Sequence, residues 1–347
     1  MRTSASAIAY DYLILALGST SRYFGIQGAS ENSLPLRTLA HGIAARNQIL
    51  RCFERAVHEP DAQRRHALLT FAVVGGSPTG VEFAGSLAEL IKGPLKKDYP
   101  SLDFGEVRVI LIEAADRLLP NLPERLARYT LSRLRKMTVD VRLRAPVDQI
   151  TSGSVRLKDG DVIPSETVIW IAGTRGDPAA ESWDLPTARS GQVTVRPTLQ
   201  TPDHPDVYVI GDLAHIEQAG HPLPMVAPVA TQQGVMAAQN IGRQIAGQSP
   251  LPFQYHDRGS MVTIGRNAAV TDLHGRGFTG FIAWVLWLSV HIFNLIGFRN
   301  RLLVLVNWAW DYFFYERAVR LILPSESASG LPVSMADADS RAERADK

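Results

Sequence analysis

The stretch LLTFAVVGGSPTGVEFAGSLAELIKG, residues 68–93, decides how the chain folds. Residues 68–74 are apolar except for Thr70 and rich in β-branched and aromatic side chains. Such a run reads as a strand buried on both faces, as in a parallel sheet. A glycine-rich turn follows, Gly75-Gly76-Ser77-Pro78-Thr79-Gly80, and then Val81, Phe83, Ala84, Leu87, Ala88, Leu90 and Ile91 recur at helical spacing. Strand, glycine turn and helix in this order is the context in which a G-x-G-x-x-G pattern carries weight. The start of such a helix offers unpaired N–H groups and a positive dipole end to a pyrophosphate.

Residues 107–113, VRVILIE, read as the next strand, ending in Glu113. An acid there can accept hydrogen bonds from ribose hydroxyls and repels a 2′-phosphate, which favours NADH over NADPH. Glu113 stands 33 positions beyond Gly80, against about 20 in the usual fingerprint. The excess is an insertion over residues 93–105. Ser77 occupies the place of the second glycine, where a Cβ crowds the approach of a pyrophosphate, so reduced affinity is expected. The competing reading of the turn is a tight strand–helix connection that binds nothing.

At 347 residues the chain suits two domains or one large one. A formal charge of +2 gives no argument for nucleic acid. The lone cysteine, Cys52, excludes an intrachain disulfide and a paired-thiol redox centre, and within a helix it reads as a core residue. The histidines show no ligand spacing, so no metal site is expected. There is no G-x-S-x-G nucleophile turn and no signal peptide at the start of the sequence.

Residues 12–18, YLILALG, read as another apolar strand, ending in Gly18. Residues 168–173, VIWIAG, repeat that ending at Gly173. Two such strands suggest two dinucleotide lobes, yet one glycine-rich turn is present, so a segment is expected to be missing ahead of Met1. Residues 37–57 read as a helix capped by Thr38, and 122–136 as an amphipathic helix. Residues 139–151, 154–158 and 162–163 read as short strands of a meander around the Asp159-Gly160 turn. The strand at 207–210 ends in Gly211-Asp212, where a carboxylate can bind a polyol hydroxyl or cap a helix. Residues 223–234 lead into a small-residue helix expected over 234–246.

From residue 280 to 297 the only titratable side chain is His291, among Trp284, Trp287 and Phe293. A second apolar run begins at Leu302, after Arg299-Asn300-Arg301. About 18 apolar residues is the lower limit for a membrane span. Polar interruptions and aromatic density favour instead a helical hairpin lying in one leaflet. The alternatives are a transmembrane helix around 280–297 and a buried dimer core. Residues 324–347 are polar and read as a disordered tail.

With these motifs in order, the chain resembles the type II, non-proton-pumping NADH:quinone oxidoreductases, flavoproteins with paired dinucleotide-binding domains. The resemblance rests on YDYLILALGS at 10–19, VVGGSPTGVEFAGSLAEL at 73–90, VYVIGDLA at 207–214, APVATQQG at 227–234, MVTIGRNAAV at 261–270 and the AW..WL.VHI..L.GFRNR run at 283–301. It implies an α/β fold of Rossmann-like paired dinucleotide-binding domains, the first FAD lobe incomplete, plus C-terminal amphipathic membrane-binding helices. The implied division is a remnant of the FAD domain at 1–36, an NADH-binding domain at 37–174, the second part of the FAD domain at 175–254, a membrane-anchoring region at 255–323 and the tail.

The implied chemistry is hydride transfer from NADH to FAD and reduction of a membrane quinone. Gly75, Gly76, Ser77, Pro78, Thr79 and Gly80 would cradle the NADH phosphates, Glu113 would hold the ribose, and Gly173 would border the same nucleotide. Gly18, Gly211, Asp212 and Ala227 would line the FAD. Glu82, in the family's TGVE motif, and Gln232, the second glutamine of its AQPxxQ motif, would be catalytic; Glu82 also reads as a first-turn acid on the helix dipole. Pro228 replaces the first glutamine of that motif. The implied partners are a membrane quinone and a bilayer surface, peripheral on the cytoplasmic face of a membrane. A homodimer or a missing N-terminal FAD lobe would complete the assembly, and the chain alone is expected to bind FAD weakly or not at all. The competing functions are a non-enzymatic or half-assembly NADH-binding membrane module and another flavin-dependent NAD(P)H oxidoreductase of this fold. The thiol-dependent members of that last class need a cysteine pair that the chain lacks.

Overall fold

The computed structural model describes residues 8–314 and Ile322; the tail at 324–347 lies outside the described residues. The chain divides into two compact units. One comprises Met1–Phe24, Ala172–Ser260 and Leu273–Arg276, the other Gly25–Ile171, Met261–Asp272 and Gly277–Lys347.

The second unit is built on a five-stranded parallel sheet in the order Leu34–Pro35, Thr167–Trp170, Thr70–Val74, Arg108–Ile112, Val139–Arg142. The strand that opens the decisive stretch is central, and all five of its residues are buried. Side chains alternate across a strand, so Phe71, Val73, Val109, Leu111, Val139 and Val141 share one face. They pack in one cluster with residues of the helices Leu39–His58, Pro78–Leu90 and Glu124–Lys136. Thr38 caps the first of these by accepting the His41 N–H, at 3.2 Å. Cys52 is fully buried there, and the Phe53 ring stacks on Phe71.

The insertion after the glycine-turn helix continues as a π-turn, Ile91–Leu95, and a short helix, Lys96–Asp98. Tyr99 and Phe104 from this segment stack on Phe53, which pins it to the core.

The structure corrects two boundaries. Val139–Arg142 belongs to the parallel sheet, beside Arg108–Ile112, and only Val147–Ile150, Ser154–Leu157 and Val162–Pro164 form the antiparallel meander. The helix expected from Gly234 begins seven residues earlier, because one helix runs over Ala227–Ile245 with a proline in its first turn, where the missing N–H is not needed.

In the first unit, Leu13–Leu15 pairs in parallel with Val207–Val209, and Ser19–Ser21 pairs antiparallel with Thr174–Gly176. Its core gathers Val193, Leu199, Tyr208, Val209, Leu213 and Ala237, with Tyr12, Leu15 and Phe253 at the margin. Ile14 and Leu17 remain 42% and 49% exposed, so this apolar strand is covered on one side only.

At the C-terminal side of the second unit, strands Ser260–Thr263, Ala269–Leu273 and Arg276–Thr279 form a sheet in that order. Helices Gly280–Asn294 and Phe298–Phe314 follow as a hairpin. Among the described residues no helix is long and apolar enough to cross a membrane.

Candidate nucleotide and flavin sites

The turn at 75–80 needs its glycines for three separate reasons. Gly75 sits at φ +117°, a region open to glycine. A Cβ on Gly76 would lie 2.6 Å from Leu118 Cδ2 and 2.9 Å from Glu113 Oε2. A Cβ on Gly80 would lie 1.8 Å from the Gly75 carbonyl oxygen, which forbids any side chain where helix and strand meet. Ser77 has ordinary extended backbone, φ −68° and ψ 172°, and makes no side-chain cap bond. The helix N-terminus is therefore left uncapped by its own N-cap residue, with Pro78 in its first turn and Thr79 exposed.

Glu113 closes this turn. Its Oε2 accepts the Gly76 N–H at 2.5 Å and its Oε1 accepts the Ala115 N–H at 2.7 Å. The acid at the end of the second strand is thus a strut between two loops, which sequence spacing did not indicate. The turn is also stitched by Gly75 N–H to the Ile112 carbonyl and Leu119 N–H to the Gly76 carbonyl. A nucleotide fits on observation: an uncapped helix start beside a glycine turn too tight for side chains, with a fixed carboxylate adjoining it.

Glu82 lies one turn into the same helix. Its Oε1 accepts from the Thr263 N–H at 3.2 Å and the Thr263 hydroxyl at 3.3 Å. Burial pushes the carboxyl above its usual range, opposed by the two Thr263 bonds and by the charge of His291. Glu89, two turns on, accepts the Arg266 N–H at 2.5 Å. Acids along one helix side thus tie it to the loop and strand around residue 264, in line with the 3.0 Å that a Cβ on Gly85 would have to Gly265 N.

In the first unit, Gly211, at φ +73°, ends the strand Val207–Val209 and begins a 3-10 turn, Gly211–Leu213. The carboxylate of Asp212 accepts the Ser19 hydroxyl at 2.7 Å, and Gln192 Nε2 donates to the carbonyls of Asp212 and Ala214, each at 3.0 Å. Gly18 has open space where a side chain would go. Ala227 opens the helix Ala227–Ile245, whose N-terminus has no side-chain cap. Gly173 falls in this unit, at φ +72°, and its missing Cβ makes room for the Phe24 ring, 2.5 Å from where it would stand.

Gln232 is not poised for a ligand through its amide: Nε2 donates to the His256 carbonyl at 2.9 Å and Oε1 accepts the His256 N–H at 3.0 Å. Its neighbour Gln233 is the more informative glutamine. It is fully buried, holds the Gly211 N–H with Oε1 at 2.7 Å, and leaves Nε2 buried with no partner. A buried donor without an acceptor costs about 1–3 kcal/mol. It points to an acceptor supplied at that place, which a flavin's ribityl or phosphate oxygens can be. The inward set Val229, Gln233, Ala237, Asn240 follows helical spacing, so the pattern was present in the sequence once the helix start was placed at Ala227. Ser19 and Thr263 carried no comparable signal, because their partners are far apart in the chain. Among the described residues no cluster of His, Cys, Asp and Glu could hold a metal.

Comparison with known proteins bears on these sites. Residues 2–234 match the pyridine nucleotide-disulphide oxidoreductase family, and residues 257–316 match the family described as the NDH2 C-terminal domain. A type II NADH:quinone oxidoreductase of Mycobacterium tuberculosis is 38% identical over 319 residues, 89% of this chain and 68% of the relative. The chain belongs to the type II NADH:quinone oxidoreductase family. A second such oxidoreductase of that organism is 35% identical over 322 residues, 89% of this chain and 67% of its own. The chain thus spans about two thirds of the length of these relatives. An internal alternative NAD(P)H-ubiquinone oxidoreductase of Arabidopsis thaliana is 33% identical over 88% of this chain. A Plasmodium falciparum type II enzyme solved with NADH has the same fold, with TM-score 0.83 at 18% identity over 91% of this chain and 80% of that one. The type II family places this chain in an α/β flavoprotein fold, with the hairpin inside its C-terminal domain.

Proposed function

We propose that the chain oxidises NADH and passes the electrons through FAD to a membrane quinone. The observation that carries this is the Glu113 clamp on a glycine turn at an uncapped helix start, in a chain of the type II family. In this reading Gly75, Gly76, Ser77, Pro78, Thr79 and Gly80 receive the NADH pyrophosphate and Glu113 meets the ribose. On the other unit, Gly18, Gly211, Asp212, Ala227 and the orphan Nε2 of Gln233 receive FAD. FAD, when bound, supplies the hydride-accepting and electron-passing chemistry. The residues bind and orient: Glu82, its half-buried carboxyl pushed up by burial, ties the helix to Thr263, and Gln232 orients the 256 backbone, its place toward quinone following from family likeness alone.

The exposed apolar face of the hairpin, Phe293, Ile296 and Phe298 among it, suits a lipid surface. The chain then sits peripherally, on the cytoplasmic face of its membrane. A second copy is its protein partner, which light scattering of the detergent-solubilised chain reads directly. Visible absorbance of the purified chain, followed by NADH, tests the function. A chain that turns yellow on addition of FAD and is then bleached by NADH and not by NADPH is the expected result. A colourless protein that still binds NADH means instead a nucleotide-binding membrane module.

A further inference from the structure

The insertion at residues 93–105 has no task in the function proposed above, yet it borders a cavity of about 680 Å3. Small-molecule sites have volumes of about 300–1,000 Å3. Buried residues from three elements line it: Ala88 near the end of the helix Pro78–Leu90, Val109 near the start of the strand Arg108–Ile112, and Met137 just beyond the helix Glu124–Lys136. Leu102 and Phe104 of the insertion add apolar wall. The segment is tied to its neighbours at several points. Phe104 stacks on Phe53, the Tyr99 hydroxyl donates to Glu54 Oε1 at 2.6 Å, and Glu106 accepts two bonds from the Arg65 guanidinium, at 2.9 and 3.3 Å. These ties fix the wall in place, so the cavity is preformed.

The lining carries four polar side chains, Lys92, Lys96, Asp103 and Thr138. The Thr138 hydroxyl donates to the Met137 carbonyl at 2.7 Å, and Asp103 accepts the Gly105 N–H at 2.8 Å, so each serves its own turn. Lys92 and Lys96 are exposed and, among the described residues, neither forms an ion pair. They stand four positions apart on the continuous helical stretch Ile91–Leu95 and Lys96–Asp98. That spacing brings two like charges to one side of it, which is unfavourable without an anion. Against the single carboxylate of Asp103 they leave the lining net positive. A lysine lays its alkyl stem along apolar surface and keeps its ammonium at the edge.

An apolar interior with unpaired ammonium groups at its rim accepts an apolar tail and an anionic head, whereas a sugar or base would lose its hydrogen bonds to water there. We propose that this cavity binds a single-chain amphiphile with an anionic head, a fatty acid or a monoacyl phosphate. The tail lies against Ala88, Val109 and Met137, and the head meets Lys92 and Lys96. The site is separate from the glycine turn. Val109 lies near the amino end of its strand, and Glu113 follows the carboxyl end four residues on, about 13 Å away at about 3.3 Å per residue. Nucleotides occupy the carboxyl end of such a sheet. The inference therefore does not rest on NADH oxidation.

The test follows the Met137 methyl resonance of the full chain, methyl-labelled at methionine, in nanodiscs of zwitterionic lipid with neither NADH nor FAD added. Its loss in Met137→Leu, a swap of similar volume, assigns the signal, and the Met236 methyl of the other unit is the control. Decanoate should shift Met137 saturably and leave Met236 in place, and each methylene added to the chain should tighten binding about fourfold. Lys92→Gln with Lys96→Gln should weaken decanoate about 10-fold and leave uncharged decanol unchanged. Both lysines are exposed, so this variant keeps the fold. Decyl phosphate in place of decanoate tells the two sources apart by which binds more tightly. A Met137 signal unmoved by either anion overturns the site. Decanoate held equally with and without the lysines overturns the anionic head. Should Met137→Leu fail to fold, calorimetry of decanoate with the natural and the doubly substituted chain reads the same difference.

Discussion

Replacing Glu113 with glutamine separates a structural duty from a ligand-binding one. The carboxylate accepts two backbone N–H groups from different loops, at 2.5 Å from Gly76 and 2.7 Å from Ala115. Hydrogen bonds to a charged partner contribute about 1.5–3 kcal/mol each. Glutamine keeps one acceptor oxygen and turns an NH2 toward the other N–H, so one bond is lost and one half-buried donor faces a donor. The expected cost is about 2–4 kcal/mol. At about 2–4 °C per kcal/mol for a domain of this size, the ligand-free Tm should fall by about 5–15 °C. Scanning fluorimetry of the chain without nucleotide measures it, with Asp116→Asn as the exposed control, expected within about 0.5 kcal/mol of the natural chain. A Glu113→Gln chain whose Tm matches that control refutes the strut. NADH affinity should drop as well, because the turn proposed to receive the pyrophosphate is held by the same carboxylate.

Three further outcomes follow from the same contacts. Burial raises the Glu82 midpoint above its unfolded value, so its stabilising contribution is present below the ordinary carboxyl range and is lost as pH rises through the folded midpoint; Glu82→Gln should be the more thermostable chain at neutral pH and flatten the dependence of Tm on pH. Burial also pushes the Cys52 thiol up, beside Thr167, so a disulfide reagent should label it only on unfolding, as absorbance with and without denaturant shows. Ile296 is 89% and Phe298 80% exposed at the hairpin bend. Changing both to aspartate removes about 1.5–3 kcal/mol of apolar transfer per residue and should lower vesicle co-sedimentation more than 100-fold while leaving the Tm within about 1–2 °C.

Much of this molecule is determined locally. The run at 70–74, the glycines of the 75–80 turn and the apolar spacing of 81–91 impose strand, turn and helix through backbone sterics and side-chain periodicity, and these act between near neighbours. The same holds for Thr38 as a cap and for the breaks that make a hairpin of residues 280–314. The sequence thereby determined the fold class, the glycine turn and the acid that follows it. Tertiary structure alone decided what each polar group does, because hydrogen-bond partners are set by chain segments that meet in space. Glu113 reaches back 37 residues to Gly76, Ser19 pairs with Asp212 across 193, and Glu82 meets Thr263 across 181. Gln232 and Gln233 are adjacent in sequence, yet the helix turns one to the 256 backbone and the other into the core. Sequence places Val139–Arg142 in the meander for the same reason, since alternating apolar residues mark a strand but not its partner, and only packing against Arg108–Ile112 chose it.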